Sequence, residues 1–264
     1  MTDSATLHIT YYDTAMALIE IGSLRLLTDP LFDPAGTVFE HGPVRLEKRS
    51  ARAIDPAALG RIDAVLLSHE QHGDNLDHGG RAFLAQVPRV LTTPDSASRL
   101  GANAIGLSEW ESLVLIGPDG DSLTVTAVPA QHGPDGTQEA TGPVTGFVLS
   151  DGLLEAPVYI SGDTVPFSGT AAVAARYAPV GLALLHLGHV ALDPLPGMHF
   201  SLNAAEAITL AGALEARTVV PLHFDGWAHF SEPAEAARAT LAASPIAGRV
   251  RWLAPGERTG FTLA

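Results

Sequence analysis

Four apolar, strand-like runs in this 264-residue sequence each lead straight into a histidine or an aspartate. Residues 64–68 precede His69, 122–128 precede His132, 157–161 precede Asp163 and 217–221 precede His223. Strand ends project from the edge of a sheet, so side chains far apart in sequence meet wherever those ends share an edge. A fold that scatters the four ends strands four polar groups at the margins of the core. One that gathers them builds a single site.

The surrounding pattern supplies such a fold. Residues 7–28 read as a meander of three short strands, LHITYY, AMALIEI and LRLLTD, broken at Asp13-Thr14 and Gly22-Ser23. From Pro30 to Pro56 the periodicity dissolves into Pro, Gly and charge, which predicts a long loop excursion. Strands are expected again at 62–68, 90–93, 112–116, 122–128, 144–150 and 157–161, with a helix over about 78–87. After Gly162 helices alternate with strands: helices at about 169–177, 202–214 with Ser201 as its cap, and 232–243, and strands at 181–187, 217–222, 249–253 and 259–263. A meander followed by strand–helix alternation, with no Pro/Ser-rich linker, points to one domain over 1–264 in which two sheets are flanked by helices.

Composition restricts the chemistry of the four ends. The chain has no cysteine, which removes disulfides, thiolate zinc sites, iron–sulfur clusters and a cysteine nucleophile, and leaves only nitrogen and oxygen to hold a metal. Three or four imidazoles with two carboxylates suit Zn, Mn or Fe, Zn or Mn being the expected ion, and an open coordination position would present hydroxide near neutral pH. The formal charge of −14, with acids scattered along the chain, disfavours nucleic acid and anionic membranes as partners and favours a small-molecule substrate. No basic leader precedes an apolar stretch and no apolar run reaches membrane-spanning length, so a cytoplasmic setting is expected; oligomeric state is not legible.

The first strand end is the richest, reading Ser68-His69-Glu70-Gln71-His72-Gly73-Asp74-Asn75-Leu76-Asp77-His78. Its histidines are three apart, which separates it from the helical H-E-x-x-H zinc motif. With Leu18-Ile19-Glu20-Ile21-Gly22, Leu27-Thr28-Asp29-Pro30, His132, Gly162-Asp163-Thr164 and Pro221-Leu222-His223-Phe224, the ordered set resembles the metallo-β-lactamase superfamily of metallohydrolases. Within it the set resembles the branch that includes L-ascorbate 6-phosphate lactonase-like proteins. The resemblance implies a four-layer αββα sandwich with metals at one edge between the sheets. It also implies a first metal on His69, His72 and His132, a second on Asp74 and His223, and Asp163 as a bridge. Asp29 corresponds to a carboxylate that orients a metal-bound histidine, though locally a turn aspartate before Pro30 reads equally well.

The family motif H-x-H-x-D-H fits imperfectly. His72 and Asp74 match, His69 fits with one inserted residue, and Asn75 stands where the last histidine belongs. An amide oxygen is a weak zinc ligand, so the second site is expected to be weakly held, occupied by a harder ion of the Mn type, or empty. His78 could substitute if a helix aligns it with Asp74. Of the other histidines, His186, His189, His199 and His229 lie near strand ends or in loops; His189 and His199 are the expected pocket residues. His8 and His41 have no supporting context. Phosphate-binding glycine loops and a G-x-S-x-G elbow are absent, and a Ser68–His69 dyad lacks a separate base. The expected activity is therefore hydrolysis of an ester, lactone or phosphoester by hydroxide held on the metal, with Asp74 and Asp163 catalytic. The alternative is a metal-binding protein of the same fold that has lost efficient catalysis, motivated by Asn75. Arg45, Arg49 and Arg52 stand in one candidate pocket loop.

Overall fold

The computed structural model describes residues 7–49, 54–150, 152–193 and 195–263; Arg52 lies outside them. The chain opens with three antiparallel strands, β1 (Leu7–Asp13), β2 (Met16–Ile21) and β3 (Leu24–Thr28). Alternation sorts their side chains: Leu7, Ile9, Ala17, Ile19, Ile21, Leu24 and Leu26 enter one core, while Met16, Leu18 and Leu27 enter a second on the opposite face. A strand buried on both faces reads as nearly continuous apolar sequence, as β2 does over MALIEI, whereas β1 alternates as LHITYYD.

A hairpin, β4 (Val38–His41) with β5 (Val44–Glu47), lies inside the segment expected to be loop. Four-residue strands carrying Glu40, Arg45 and Glu47 are too short and too polar for periodicity to report. The chain continues through β6 (Ala64–Leu66), α1 (His78–Leu84), β7 (Val90–Thr92), α2 (Pro94–Leu100) and β8 (Ala104–Gly106). Neither α2 nor β8 was expected from the sequence. The Thr93 side chain caps α2 by accepting from Ser96 N, and Pro94 occupies its first turn, a local signal of helix initiation.

Next come β9 (Ser112–Ile116), β10 (Ser122–Pro129), α3 (Gln138–Thr141), β11 (Thr145–Ser150) and β12 (Val158–Ile160). The chain then runs through α4 (Ser168–Tyr177), β13 (Leu182–His186), α5 (Ala204–Ala213), β14 (Thr218–Leu222), α6 (Ala234–Ala242) and β15 (Arg258–Phe261). The cap of α5 is Asn203, which exchanges side-chain-to-backbone bonds with Glu206 in a capping box; Ser201 instead ties Val190 N to Leu187 O. Residues 249–253 form no strand, only a bridge from Val250 to Val219.

The strands form one sheet in the order β15-β1-β2-β3-β6-β7-β8 and another in the order β14-β13-β12-β11-β10-β9. Their facing sides close on one core. Phe83 and Leu84 of α1 cover the outer face of the first sheet, and Val173, Ala207, Leu210 and Leu241 of α4, α5 and α6 pack in the core of the second. The result is the αββα sandwich. Strands β3 and β6 run parallel in the first sheet, and β12, β13 and β14 in the second; β10 shares the direction of β12 through antiparallel β11. Their C-terminal ends meet along one edge, where parallel strands leave their connecting loops for ligands. Among the described residues no helix is long and apolar enough to cross a membrane.

Candidate metal centre

Strand β6 delivers Ser68 and His69 to this edge. Asp29, held just past β3 at φ 30°, accepts Ser68 N at 2.7 Å and Ser68 Oγ at 3.0 Å. Because the serine donates its proton to Asp29, its oxygen is left to accept from His69 Nδ1 at 2.9 Å. That relay turns His69 Nε2 outward with its lone pair free, so Asp29 orients the histidine through Ser68 rather than by direct contact. His132 is set the same way: its Nδ1 donates to Phe200 O at 2.5 Å. His69 Nε2 then stands 3.0 Å, and His132 Nε2 2.9 Å, from His72 Nδ1. Burial lowers the His69 pKa to about 3 and holds His72 well below its usual value, so both are neutral, as a metal ligand must be.

The second cluster comes from three other loops. Gly162, at φ 61°, lets the chain pass so close to Thr145 that a Cβ there would lie 2.6 Å from Thr145 O; the turn presents Asp163. His223 is also at positive φ, 55°, a strained conformation for a non-glycine residue, held by His223 N donating to Thr14 O at 2.6 Å across the two sheets. Its Nδ1 donates to Leu187 O, which points Nε2 at Asp74 Oδ2, 3.4 Å away, and Asp163 Oδ2, 3.5 Å away. Burial would lower the His223 pKa, but the two carboxylates outweigh it and push it up to about 9. Burial would raise both acids, yet hydrogen bonds and charge from His223, His229 and His186 hold Asp74 and Asp163 below the usual carboxylate range. The pocket between the acids thus favours positive charge.

His186 and His229 complete the surroundings. His186 Nδ1 lies 2.9 Å from Asp163 Oδ1, and His229 Nε2 lies 2.8 Å from Asp74 Oδ2. The sequence placed His186 near the metal edge but preferred its neighbour His189; Gly188, at φ 91°, turns the chain between them. His229 had no local signal, because only the docking of its loop brings it to Asp74. Trp227 secures that loop by donating Nε1–H to Thr14 Oγ1.

The remaining expectations divide. His189 and His199 stack on each other at 4.5 Å, with His199 bound to Glu206 and His189 to Ser231, and neither is among the residues lining the cavity over the clusters. His78 is exposed on the first turn of α1, packed on Phe39; the adjacent Asp77 caps the helix, so His78 is turned away from Asp74. Asn75 is fully buried between Asp29 and Ser68 on one side and the two acids on the other. With its amide nitrogen turned to the acids it donates to Asp163 Oδ2 at 3.1 Å and Asp74 Oδ1 at 3.3 Å. In that orientation the side chain stabilises the carboxylates as a donor and offers the centre no oxygen.

Over the clusters lies a cavity of about 460 Å³. His72, Asp74, His132 and His229 form its polar end, and Val44, Leu46, Val190, Leu192, Leu195 and Phe200 its walls. Pro43 and Val44 come from the β4–β5 hairpin, docked through Arg49 N to Gly226 O and Ala228 N to Glu47 O.

The donor sets fit divalent metal. His69, His72 and His132 form one group and Asp74, Asp163 and His223 another, the donor atoms of each lying within 4.8 Å of one another. Nitrogens around tetrahedral zinc sit roughly 3.3 Å apart, within a few tenths of an ångström of the imidazole spacings here. His223 Nε2 lies 3.4 Å from Asp74 Oδ2 and 3.5 Å from Asp163 Oδ2, long for hydrogen bonds, and an ion between the three groups would satisfy them all.

The αββα sandwich thus carries an all-histidine cluster and an Asp–Asp–His cluster side by side at one edge between its sheets. The chain belongs to the beta-lactamase superfamily: residues 24–224 match the model of the Beta-lactamase superfamily domain. A UPF0173 metal-dependent hydrolase of Methanosphaerula palustris is 31% identical over 209 residues, covering 74% of this chain and 86% of that protein. Another from Pyrococcus abyssi is 26% identical over 186 residues, covering 68% and 74%. Among solved structures, an isothiocyanate hydrolase from Delia radicum gut bacteria shares the fold at a TM-score of 0.81 with 20% identity, over 96% of this chain and 99% of that one.

Proposed function

We propose that this chain is a metal-dependent hydrolase acting on an ester, lactone or related acyl compound of a small molecule. The observation that carries the reading is the opening of both donor clusters into the polar end of one cavity, through His72 and His132 of the first and Asp74 of the second. In this proposal His69, His72 and His132 hold one divalent ion, Zn or Mn, and Asp74, Asp163 and His223 a second. A bound ion supplies Lewis acidity, making water nucleophilic near neutral pH and drawing charge from the bond under attack. Asp74, at the cavity surface, accepts the proton of the attacking water. Asp163 is held by His186, and Asn75 supports both acids as a donor. The apolar walls exclude bulk water and strengthen every polar interaction at the reacting end.

A phosphorylated lactone, the substrate type of the branch its motifs resemble, would set its phosphate among these walls, so the carboxylic esters and lactones are favoured. The net charge of −14 and the scattered acids support a small-molecule substrate over nucleic acid or membrane, and the cytoplasmic setting expected from the sequence belongs to the same proposal. Metal analysis and turnover of nitrophenyl esters and lactones with Zn or Mn added test it. His132→Ala and Asp163→Ala should each lower bound metal and turnover, by about 100-fold or more. Unchanged turnover in both would refute the site.

A further inference from the structure

We infer that the substrate is neutral and that its non-reacting part is an apolar group seated between Val44, Leu192, Leu195 and Phe200; this rests on the hydrolase reading above. The cavity over the clusters has one charged carboxylate on its lining, Asp74, at the end where the reaction would take place. No lysine or arginine lines it among the described residues. An anionic substituent seated between those apolar walls, away from the clusters, would lose its hydration and gain no lysine or arginine partner.

The nearest arginines belong to a different space. Arg45 and Arg49 line an adjoining outer cavity of about 590 Å³, where Arg45 pairs with Glu47 at 2.9 Å and Asp193 adds a second acid. The two cavities share Pro43, Val44, Leu192, Leu195 and His229. The mixed charges thus lie outside the inner cavity, across a shared rim of four apolar residues and His229. The inner volume falls in the lower half of the ~300–1,000 Å³ range of small-molecule sites, enough for a short alkyl chain or one ring beside the scissile group.

Apolar burial has a measurable signature, since each methylene taken from water into such a cavity is worth about fourfold in affinity. Straight-chain alcohols from butan-1-ol to octan-1-ol, titrated calorimetrically into the metal-loaded protein, measure it without requiring turnover. Affinity should rise about fourfold per methylene until the walls are filled, and 6-hydroxyhexane-1-sulfonate should bind at least about tenfold more weakly than hexan-1-ol. Leu195→Glu, on a half-buried loop position, should flatten the alcohol series, and Leu195→Met should restore it. Affinity independent of chain length, or a sulfonate that binds as tightly as the alcohol, overturns the inference. Absence of ester and lactone turnover overturns the hydrolase reading instead and leaves the alcohol result standing, so the two failures are distinguishable.

Discussion

Replacing Lys48 by methionine removes a cation that Asp13 and Asp77 share beside the site. Lys48 is the chain's only lysine and is 1% exposed. Its ammonium lies 3.3 Å from Asp13 and 3.4 Å from Asp77, both buried. Asp77 also accepts Phe32 N, Asp33 N and Gly80 N, so it keeps three donors when the lysine is gone. Asp13 is left with the hydrogen bond from the Thr14 hydroxyl, and burial already holds its pKa above the usual value despite Lys48. Removing one partner of a buried pair costs about 3–5 kcal/mol. At about 2.1 cal/mol/K per residue, 264 residues give an unfolding entropy of about 0.55 kcal/mol/K, so Tm should fall by about 5–9 °C at pH 8. Without the lysine the Asp13 pKa in the folded protein rises further above its unfolded value. Such a group adds stability at low pH and loses it as pH rises toward the folded pKa, so the deficit should be smaller at pH 5 than at pH 8. Calorimetric melts of both proteins at the two pH values provide the assay. A Tm within 2 °C of the wild type at pH 8, or a deficit that grows toward pH 5, would refute the reasoning.

Two further substitutions test the supports of the centre. Asp29→Asn sets an amide against one of the two Ser68 donors that fix His69, and should cost about 10–100-fold in metal affinity, read by competition with a chelating dye; unchanged affinity would remove Asp29 from its orienting role. Gly80→Ala places a methyl 1.8 Å from Pro30 O, where α1 packs on the loop after Asp29, and should destabilise by about 3 kcal/mol in urea unfolding. A stability equal to the wild type would show that this approach is loose.

Much of the candidate centre was legible because it follows local rules. His69, Asp163 and His223 stand just past apolar strands, and strand ends are the part of a sheet sequence that periodicity marks best. Asp29 was ambiguous on local chemistry, since an aspartate before proline serves a turn equally well; its two bonds to Ser68, 39 residues away, favour the orienting role that Asp29→Asn tests. The preference for His189 over His186 failed on one glycine turn, and the pocket reading of His199 failed because Glu206, one helical turn into α5, captures the ring. The β4–β5 hairpin escaped notice because its order comes from Lys48, Trp227 and the 226–228 loop rather than from its own pattern.

By itself the sequence determined the two-sheet architecture and the elements of chemistry available. Apolar alternation sets strands and faces, and a chain without cysteine can offer a metal only nitrogen and oxygen. The tertiary structure alone decided which donors meet, that Asn75 is buried between Asp29, Ser68 and the two acids, and that Arg45 and Arg49 line an outer cavity rather than the one over the clusters. These depend on loops that are held by partners up to 214 residues away, such as Tyr11 with Asp225. A local pattern specifies the element that carries a side chain. Where that side chain ends, and what surrounds it, is fixed by long-range packing and hydrogen bonds that no short stretch of sequence encodes.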